Sequence, residues 1–229
     1  MPKKVKNTTF PSPFDLIAPL SCRGCGTIGT ALCNRCKNYI ISNHTAICPN
    51  CKEPIINAKC QKCINLPPTY IIGERQDLIG TLIHDYKYNS IRALAKPLAE
   101  ILDEILPPFK SPTIIVPLPT ISKHIRLRGL DHTLLIAKHL SKLRNSECSQ
   151  ALVRAHDTVQ VGTDHKTRAK QAQNAYTIAN RFIPNPEASY LLLDDVWTTG
   201  ASMLSANKKL RATGVNHTTI AVLALSRIN

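Results

Sequence analysis

Short apolar runs alternate with longer stretches of helical periodicity from residue 69 onward. Runs rich in β-branched and aliphatic residues predict strands at 69–73, 113–119, 151–153, 190–196 and 217–225. Apolar residues spaced three and four apart predict helices between them, at 78–86, 94–105, 130–143 and 201–212. Strands that alternate with helices predict an α/β fold, a parallel sheet covered by helices. Ligands of such sheets bind beyond the carboxyl ends of the strands.

The first third of the chain lacks this alternation and is dominated by cysteine. Eight of the nine cysteines lie between positions 22 and 63 and form four C-x2-C pairs: Cys22/Cys25, Cys33/Cys36, Cys48/Cys51 and Cys60/Cys63. Two thiolates three residues apart bind one metal ion, and two such pairs complete a tetrahedron. Zinc is the metal that four thiolates favour. The spacing therefore predicts two closed, structural Zn²⁺ sites.

The four pairs can be combined in three ways. Pairing of neighbours leaves gaps of seven and eight residues, which look like one short unit written twice. A cross-brace would instead join the first pair with the third and the second with the fourth. The near-equal gaps favour local pairing. Disulfides and an iron–sulfur cluster are the competing interpretations, disfavoured by the missing secretory signal and by the spacing.

Pro67 and Pro68 mark the boundary between the two parts, because consecutive prolines disfavour helix and favour an extended connection. We expect a double zinc-ribbon module over residues 1–66 and an α/β domain over residues 67–229. A module held by metal alone would unfold over residues 1–65 when zinc is removed and spare the remainder. The ninth cysteine, Cys148, is expected to be a free thiol in or near the end of a helix.

Charge bears on the partners. The chain has 29 Lys and Arg against 15 Asp and Glu, a net charge of +14. Two zinc sites of four thiolates each would lower it by 2 × 2 to +10. Such an excess favours polyanionic partners, although a solubility surface is the plain alternative. No apolar run approaches the length of a membrane span, so we expect a cytoplasmic protein. Peripheral attachment at the inner membrane face stays open.

The stretch YLLLDDVWTTGASM carries the most specific chemistry. Asp194 and Asp195 follow an apolar strand and can accept hydrogen bonds from two neighbouring sugar hydroxyls. The helix start beyond them offers backbone N–H groups and side-chain hydroxyls to a phosphate, from Thr198, Thr199, Gly200, Ala201 and Ser202. Glycine at position 200 would let the main chain approach the anion closely. A capped helix start is the plain alternative, yet the combination fits a ribose 5-phosphate.

This stretch resembles the signature of type I phosphoribosyltransferases, and the chain as a whole resembles one branch of them, the ComF (ComFC) competence family. The motifs follow the family's order: zinc knuckles, then IHDYKYNSIRALAKPLA at 83–99, IVPLP at 115–119 and RGLDH at 128–132. Thr158, Gln160 and Arg168 match a later T-x-Q…R element. RGLDH stands where the family has RGFNQ, and Gln171 replaces an asparagine.

The resemblance implies binding of phosphoribosyl diphosphate (PRPP) together with Mg²⁺. It also implies a phosphoribosyltransferase activity, that of a pentosyl-class glycosyltransferase, with the acceptor left open. By analogy, Asp194 and Asp195 hold the ribose hydroxyls, residues 198–202 hold the 5-phosphate, and Lys87, Arg126 and Arg128 contact the diphosphate.

The family's link to DNA uptake implies a role in natural competence and transformation, with single-stranded DNA and the DNA-translocation machinery as partners. The basic stretch from Lys123 to Arg144 suits a phosphate backbone but lacks aromatic residues. A non-catalytic module that handles single-stranded DNA and retains the phosphosugar loop is the alternative function.

Overall fold

The computed structural model describes residues 19–109, 112–155 and 175–226. The helices are α1 (Asn34–Ser42), α2 (Leu78–Tyr88), α3 (Ala95–Ile105), α4 (Ser122–Arg128), α5 (His132–Leu143) and α6 (Ala201–Arg211), with a 3-10 turn at Arg92–Leu94. The strands are β1 (Thr69–Glu74), β2 (Thr113–Pro117), β3 (Glu147–Cys148), β4 (Leu152–Arg154), β5 (Tyr176–Ile178), β6 (Ser189–Trp197) and β7 (His217–Leu225). These elements lie close to the predicted ones.

Five strands form one parallel sheet in the order β1–β7–β6–β2–β3. β6 is central, and its apolar run explains this position, because a strand buried on both faces needs apolar side chains in succession. β4 and β5 pair antiparallel in a separate two-stranded sheet. The predicted α/β fold with a parallel sheet is thus confirmed.

A hydrophobic core lies on each face of the sheet. Leu82, Leu98 and Leu102 of α2 and α3 are buried with Leu191 and Leu193 of β6 on one face. The opposite face buries a second cluster in which α6 packs against β6 and β7. Each fully buried leucine stabilises the fold by roughly 1.5–3 kcal/mol. The two cores fix β6, and hence its carboxyl end, from both sides.

The cysteine-rich segment shares the first of these cores. Cys22, Leu32 and Ile40 are buried in one cluster with residues of α2 and α3. The backbone N–H of Thr45 donates to the carbonyl of Ile72 at 3.2 Å, which adds an isolated antiparallel bridge beside β1. Cys22, Cys33 and Cys36 therefore belong to the packing of the α/β domain.

Four local details differ from the sequence predictions. Helix α4 was missed because none of its seven residues is buried, so no apolar periodicity marks it. The helix expected from residue 130 begins at His132, where the Asp131 carboxylate caps it by accepting from the N–H of Leu134 at 3.1 Å. Cys148 lies on β3, not at a helix end, and the strand predicted at 151–153 belongs to the small antiparallel sheet.

A cleft of about 1300 Å³ opens between the second group of cysteines and the amino ends of β2, β6 and β7. It lies at the edge of the sheet opposite to the carboxyl end of β6. Within the described ranges, no helix has the length and apolar character needed to cross a membrane.

Candidate functional site

The acidic pair lies where β6 extends beyond the end of its neighbour β2. β2 and β6 are paired from Thr113 with Ser189 to Pro117 with Leu193. β2 then turns away, and the N–H of Leu118 makes a last bond of 2.8 Å to the carbonyl of Leu193. Asp194 and Asp195 follow immediately, so both carboxylates stand at an open notch at the carboxyl end of the sheet. This is the edge at which parallel sheets bind ligands.

Lys87, at the end of α2, forms an ion pair with Asp195. Both side chains are largely buried, with exposed fractions of 16% and 18%. They come from positions 108 residues apart in the chain (195 − 87). The structure thus places one of the three predicted diphosphate contacts, Lys87, directly on the acidic pair.

Asp194 and Asp195 lie on opposite faces of β6, because side chains alternate along a strand. Leu192 belongs to the α6-side core and Leu193 to the other, so Asp194 follows the former face and Asp195 the latter. Burial, reinforced by the negative charge of Asp195, raises the pKa of Asp194 to about 8. The N–H of Asp195 donates to Asp194 Oδ1 at 2.8 Å. The two carboxylates therefore differ: Asp195 is paired with a lysine, whereas the pKa of Asp194 is raised.

The segment beyond the acidic pair makes a tight turn into α6. Thr198 and Thr199 are exposed, and the N–H of Ala201 donates to Thr199 Oγ1 at 3.4 Å. Gly200 adopts φ +75°, and a Cβ there would lie only 2.2 Å from the buried indole of Trp197. A glycine at position 200 is therefore required by the turn itself. Ser202, at the start of α6, opposes the effect of burial, which raises the pKa of Tyr176.

The predicted arginines lie on α4, and the structure separates them. Arg128 stacks its guanidinium 4.9 Å from the ring centre of Tyr88, the neighbour of Lys87. Arg126 is exposed, and no ion pair between described residues joins it to either carboxylate. Arg128 is thus brought to the rim of the site, and Arg126 is not.

The residues of RGLDH that depart from the family pattern make internal contacts. Asp131 accepts hydrogen bonds from Thr120 Oγ1 at 3.0 Å and, as the cap of α5, from Leu134. This holds the proline-rich loop after β2 against α5. His132 and Tyr86 are joined by two hydrogen bonds: Tyr86 Oη donates to the backbone carbonyl of His132 at 3.0 Å, and Nε2 of the buried His132 ring lies 2.9 Å from the backbone carbonyl of Tyr86. Both side chains support the site without reaching into it.

The basic stretch from Lys123 to Arg144 is partly committed to internal contacts. Arg144 Nε contacts Asp103 Oδ1 at 2.7 Å, and its guanidinium stacks on Phe109 at 4.3 Å. Arg144 therefore fastens α5 to α3 and is not free to follow a phosphate backbone.

Sequence analysis missed Arg154, which contacts the proline-rich loop after β2. Its Nε donates to the Pro119 carbonyl at 3.3 Å, its guanidinium faces the Tyr176 ring, and its charge acts on Asp194. An arginine at the end of a short strand carries no signal of its own, so only the fold reveals it. The T-x-Q…R element, with Thr158, Gln160, Arg168 and also Gln171, lies outside the described residues.

The eight cysteines form two groups as local pairing predicts. Cys22, Cys25, Cys33 and Cys36 make one group, and Cys48, Cys51, Cys60 and Cys63 the other, with the sulfurs of each group within 4.8 Å of one another. The sulfurs of Cys25 and Cys33 are 3.6 Å apart. Tetrahedral zinc with bonds of about 2.3 Å requires about 3.8 Å between sulfurs. The residues therefore fit zinc, and such distances are far too long for disulfides.

Electrostatics bear on whether the four thiols of the first group can ionise together. Hydrogen bonds with Thr27 lower the pKa of Cys25 to about 5. Burial and the neighbouring thiols raise the pKa of Cys36 to about 12. Four clustered thiols cannot all ionise beside one another unless a positive ion compensates them. The N–H of Cys33 already donates to the sulfur of Cys22 at 3.3 Å, as metal-binding knuckles do.

Comparison with known proteins yields one curated relative of nearly full length. The chain is 26% identical to Competence protein F of Haemophilus influenzae over 221 residues, which are 91% of this chain and 96% of that protein. A crystal structure of a hypoxanthine phosphoribosyltransferase from Staphylococcus aureus matches 56% of this chain and 59% of its own at 17% identity, with a TM-score of 0.32. A score this low does not by itself establish a common fold. No family model matches the chain.

Proposed function

We propose that this chain, which resembles the ComF competence family over nearly its whole length, binds phosphoribosyl diphosphate at the carboxyl end of β6. One observation carries the proposal: the acidic pair is followed directly by the turn that begins α6. One carboxylate of the pair, Asp195, forms an ion pair with Lys87. One continuous segment, residues 194–202, therefore offers partners to both ends of a ribose 5-phosphate.

Each part of the segment has a distinct role in this proposal. Asp195, paired with Lys87, accepts a hydrogen bond from one ribose hydroxyl. Asp194 accepts from the neighbouring hydroxyl once it has lost its proton. The first N–H groups of α6, with the hydroxyls of Thr198, Thr199 and Ser202, bind the 5-phosphate at the positive end of the helix dipole. Lys87 and Arg128 lie on the side from which the diphosphate would be held.

Mg²⁺ suits this donor set, because carboxylate and phosphate oxygens are the ligands that the ion prefers. When bound with the diphosphate, it would neutralise the charge that develops on the leaving group. The protein's own contribution is to present Asp194 and Asp195 at the notch beside β2. Lys87 places a positive charge against the carboxylate of Asp195.

We extend the proposal to phosphoribosyl transfer, with the acceptor left open. The proline-rich loop after β2 is held against α5 through Asp131, and Arg154 fixes the Pro119 carbonyl from the other side. This fixed loop borders the notch on the side of β2. Loop and acidic pair together would enclose C1 of the ribose between them.

Calorimetric titration of the full-length protein with PRPP, with and without Mg²⁺, tests the binding step. We expect saturable binding that needs the ion and is lost in Asp194→Asn/Asp195→Asn. Glu147→Gln is the matched control, because it removes one exposed carboxylate from β3, near the opposite edge of the sheet. Unchanged affinity in the double variant, or no binding by the unaltered chain, would reject the site.

We also propose a role in DNA uptake, supported by the similarity to Competence protein F. An exposed aromatic ring supports it: Tyr88 is 60% exposed and is flanked by Arg128 and His84. Aromatic rings beside cations bind single-stranded nucleic acid by stacking on its bases. Fluorescence anisotropy with a labelled oligothymidine should show weaker binding by Tyr88→Ala than by Tyr39→Ala, another exposed tyrosine. Equal affinities would remove this surface from the proposal.

A further inference from the structure

The first metal site and the acidic pair are joined by a short chain of contacts through α2. Arg23 stands between the metal-binding Cys22 and Cys25, and its Nε lies 2.6 Å from Asp85 Oδ2. Asp85 is in α2, two residues before Lys87, and Lys87 contacts Asp195. We propose that Arg23 is a positioning residue: through Asp85 it holds Lys87 against the acidic pair, so that the first four-cysteine site sets the affinity for the phosphosugar. This rests on the proposed function.

Asp85 is the critical link because it is buried and charged. Only 4% of its side chain is exposed. Burial opposes its ionisation, but hydrogen bonds from Arg23 and Asn89 outweigh it and lower the pKa of Asp85. A buried carboxylate that loses its cation must find another partner or take up a proton. The end of α2 would then have to rearrange.

The position of Arg23 depends on the knuckle that the metal closes. Its backbone N–H donates to the carbonyl of Ala31 at 3.0 Å. Next to it, Gly24 packs so tightly against Cys36 that a Cβ at residue 24 would lie 2.7 Å from the Cys36 sulfur. Arg23 is thus held between the two halves of the first cysteine group. The metal that fixes these halves fixes the guanidinium as well.

Asp85 also organises the backbone that carries Lys87. The amide of the Asn89 side chain donates to Asp85 Oδ1 at 2.7 Å. The backbone N–H groups of Asn89 and Ile91 both donate to the Asp85 carbonyl, at 3.1 and 3.3 Å. The last turn of α2 therefore closes on one residue, with Lys87 inside that turn. Any shift of Asp85 moves the origin of the Lys87 side chain.

A second ion pair joins the same two parts of the molecule and supplies a matched control. Lys37 Nζ, in α1, lies 2.8 Å from Glu100 Oε2, in α3. Like the pair of Arg23 and Asp85, it links the cysteine-rich segment to the α/β domain. Glu100, however, is on α3, and its ion pairs among the described residues are with Lys37 and Lys96, neither of which contacts Asp195. Loss of this pair therefore tests whether a weaker contact between the cysteine-rich segment and the α/β domain is enough to lower affinity, without a change near Lys87.

The experiment compares Arg23→Gln, Asp85→Asn and Lys37→Gln in the full-length protein, each first shown by elemental analysis to carry two zinc ions. PRPP affinity with Mg²⁺ is measured by calorimetry. We expect Arg23→Gln and Asp85→Asn to weaken binding about tenfold and Lys37→Gln by less than about twofold. Asp85→Asn changes no residue of the metal knuckle, so with two zinc ions bound it tests the link even if Arg23→Gln loses zinc. Unchanged affinity in Asp85→Asn would overturn the proposal.

A double variant separates positioning from general stability. If Arg23 acts through Lys87, Arg23→Gln should weaken binding by less than about twofold further in a Lys87→Met background. A full tenfold effect in that background would overturn the proposal.

If the unaltered chain does not bind PRPP, the proposed function fails, and hydrogen exchange then decides the positioning. The amides of Asn89 and Ile91 should exchange about tenfold faster in Arg23→Gln than in Lys37→Gln. Equal rates would show that Arg23 does not hold the end of α2.

Discussion

The ammonium group of Lys87 contacts the carboxylate of Asp195 and leaves the adjacent Asp194 without a direct ion pair among the described residues. The charge of Lys87 still reaches Asp194, where it opposes the effect of burial on the pKa. One lysine thus acts on two carboxylates that point to opposite faces of one strand. The acidic pair is chemically asymmetric before any ligand arrives.

The asymmetry predicts a pH dependence of ligand binding. Ribose hydroxyls donate hydrogen bonds to ionised Asp194, whose pKa is raised to about 8. Affinity for PRPP should therefore increase as pH rises from 6 to 9, and calorimetry at several pH values measures this. Lys87→Met removes a charge that lowers this pKa, so the midpoint should move up by about half a unit or more.

Lys96→Met is the control for that shift, because Lys96 lies on α3, is 69% exposed and pairs only loosely with Glu100 at 4.0 Å. The same midpoint in Lys87→Met and in the unaltered protein would show that Asp194 does not govern the titration.

Asp194 should also lower the stability of the protein at high pH. Its pKa is near 3.9 in an unfolded chain and about 8 in the fold. Between these values the native state holds a proton that the unfolded state has released, so the free energy of unfolding falls as pH rises. Asp194→Asn removes this effect and should be more stable than the unaltered chain at pH 8.5 by at least about 1 kcal/mol.

Urea unfolding at pH 4 and at pH 8.5 measures the difference, which should be small at the lower pH. Asp195→Asn provides the contrast, since it deprives Lys87 of its partner and should give no such gain. A gain of equal size in both variants would mean that general charge repulsion, and not the burial of Asp194, is the cause.

The turn before α6 should reject any side chain at position 200. Alanine there must adopt φ +75° and would also place its Cβ 2.2 Å from the Trp197 ring. We expect Gly200→Ala to lower the free energy of unfolding by about 2–4 kcal/mol, the sum of backbone strain and overpacking. Gly214→Ala is the matched control, because Gly214 also has a positive φ of +96° but no heavy atom within 4 Å of a Cβ. Its cost should be about 1–2 kcal/mol, and equal costs would contradict the contact with Trp197.

Removal of zinc should affect more than the cysteine-rich segment. Cys22 and Cys36 are buried in the same core as α2 and α3, whereas Cys48 and Cys60 lie outside that cluster. Cys36→Ser should therefore lower the Tm of the whole molecule by more than Cys60→Ser does. Limited proteolysis of Cys36→Ser should cut within α2 or α3 as well. An intact fragment from residue 67 onward would instead support the independent module that the sequence predicts.

The features that sequence analysis predicted are those that short segments specify. Four C-x2-C pairs bring their ligands together locally, and the acidic pair and its turn lie within nine residues, 194–202. The apolar run of β6 places that segment at the end of a buried strand. The assignment of PRPP, Mg²⁺ and DNA to these residues stays a prediction.

The features that were missed depend on contacts between distant positions. Arg23 and Asp85 are 62 residues apart, and no local sequence pattern predicts that they form an ion pair. Arg154 is the last residue of a three-residue strand that pairs outside the main sheet. Helix α4 buries no residue, so its sequence shows no apolar periodicity that would predict a helix. A sequence shows which residues are charged or reactive, but the packing of the fold determines which charged residues form pairs.

The contact between Gly200 and Trp197 has an optical consequence. Trp197 is the only tryptophan in the chain, and its ring is 98% buried beside the turn. Intrinsic fluorescence excited at the red edge of indole absorption thus arises from one place, the start of the loop between the acidic pair and α6. Emission from a folded chain is that of an apolar setting, and any event that loosens this turn is visible without a label.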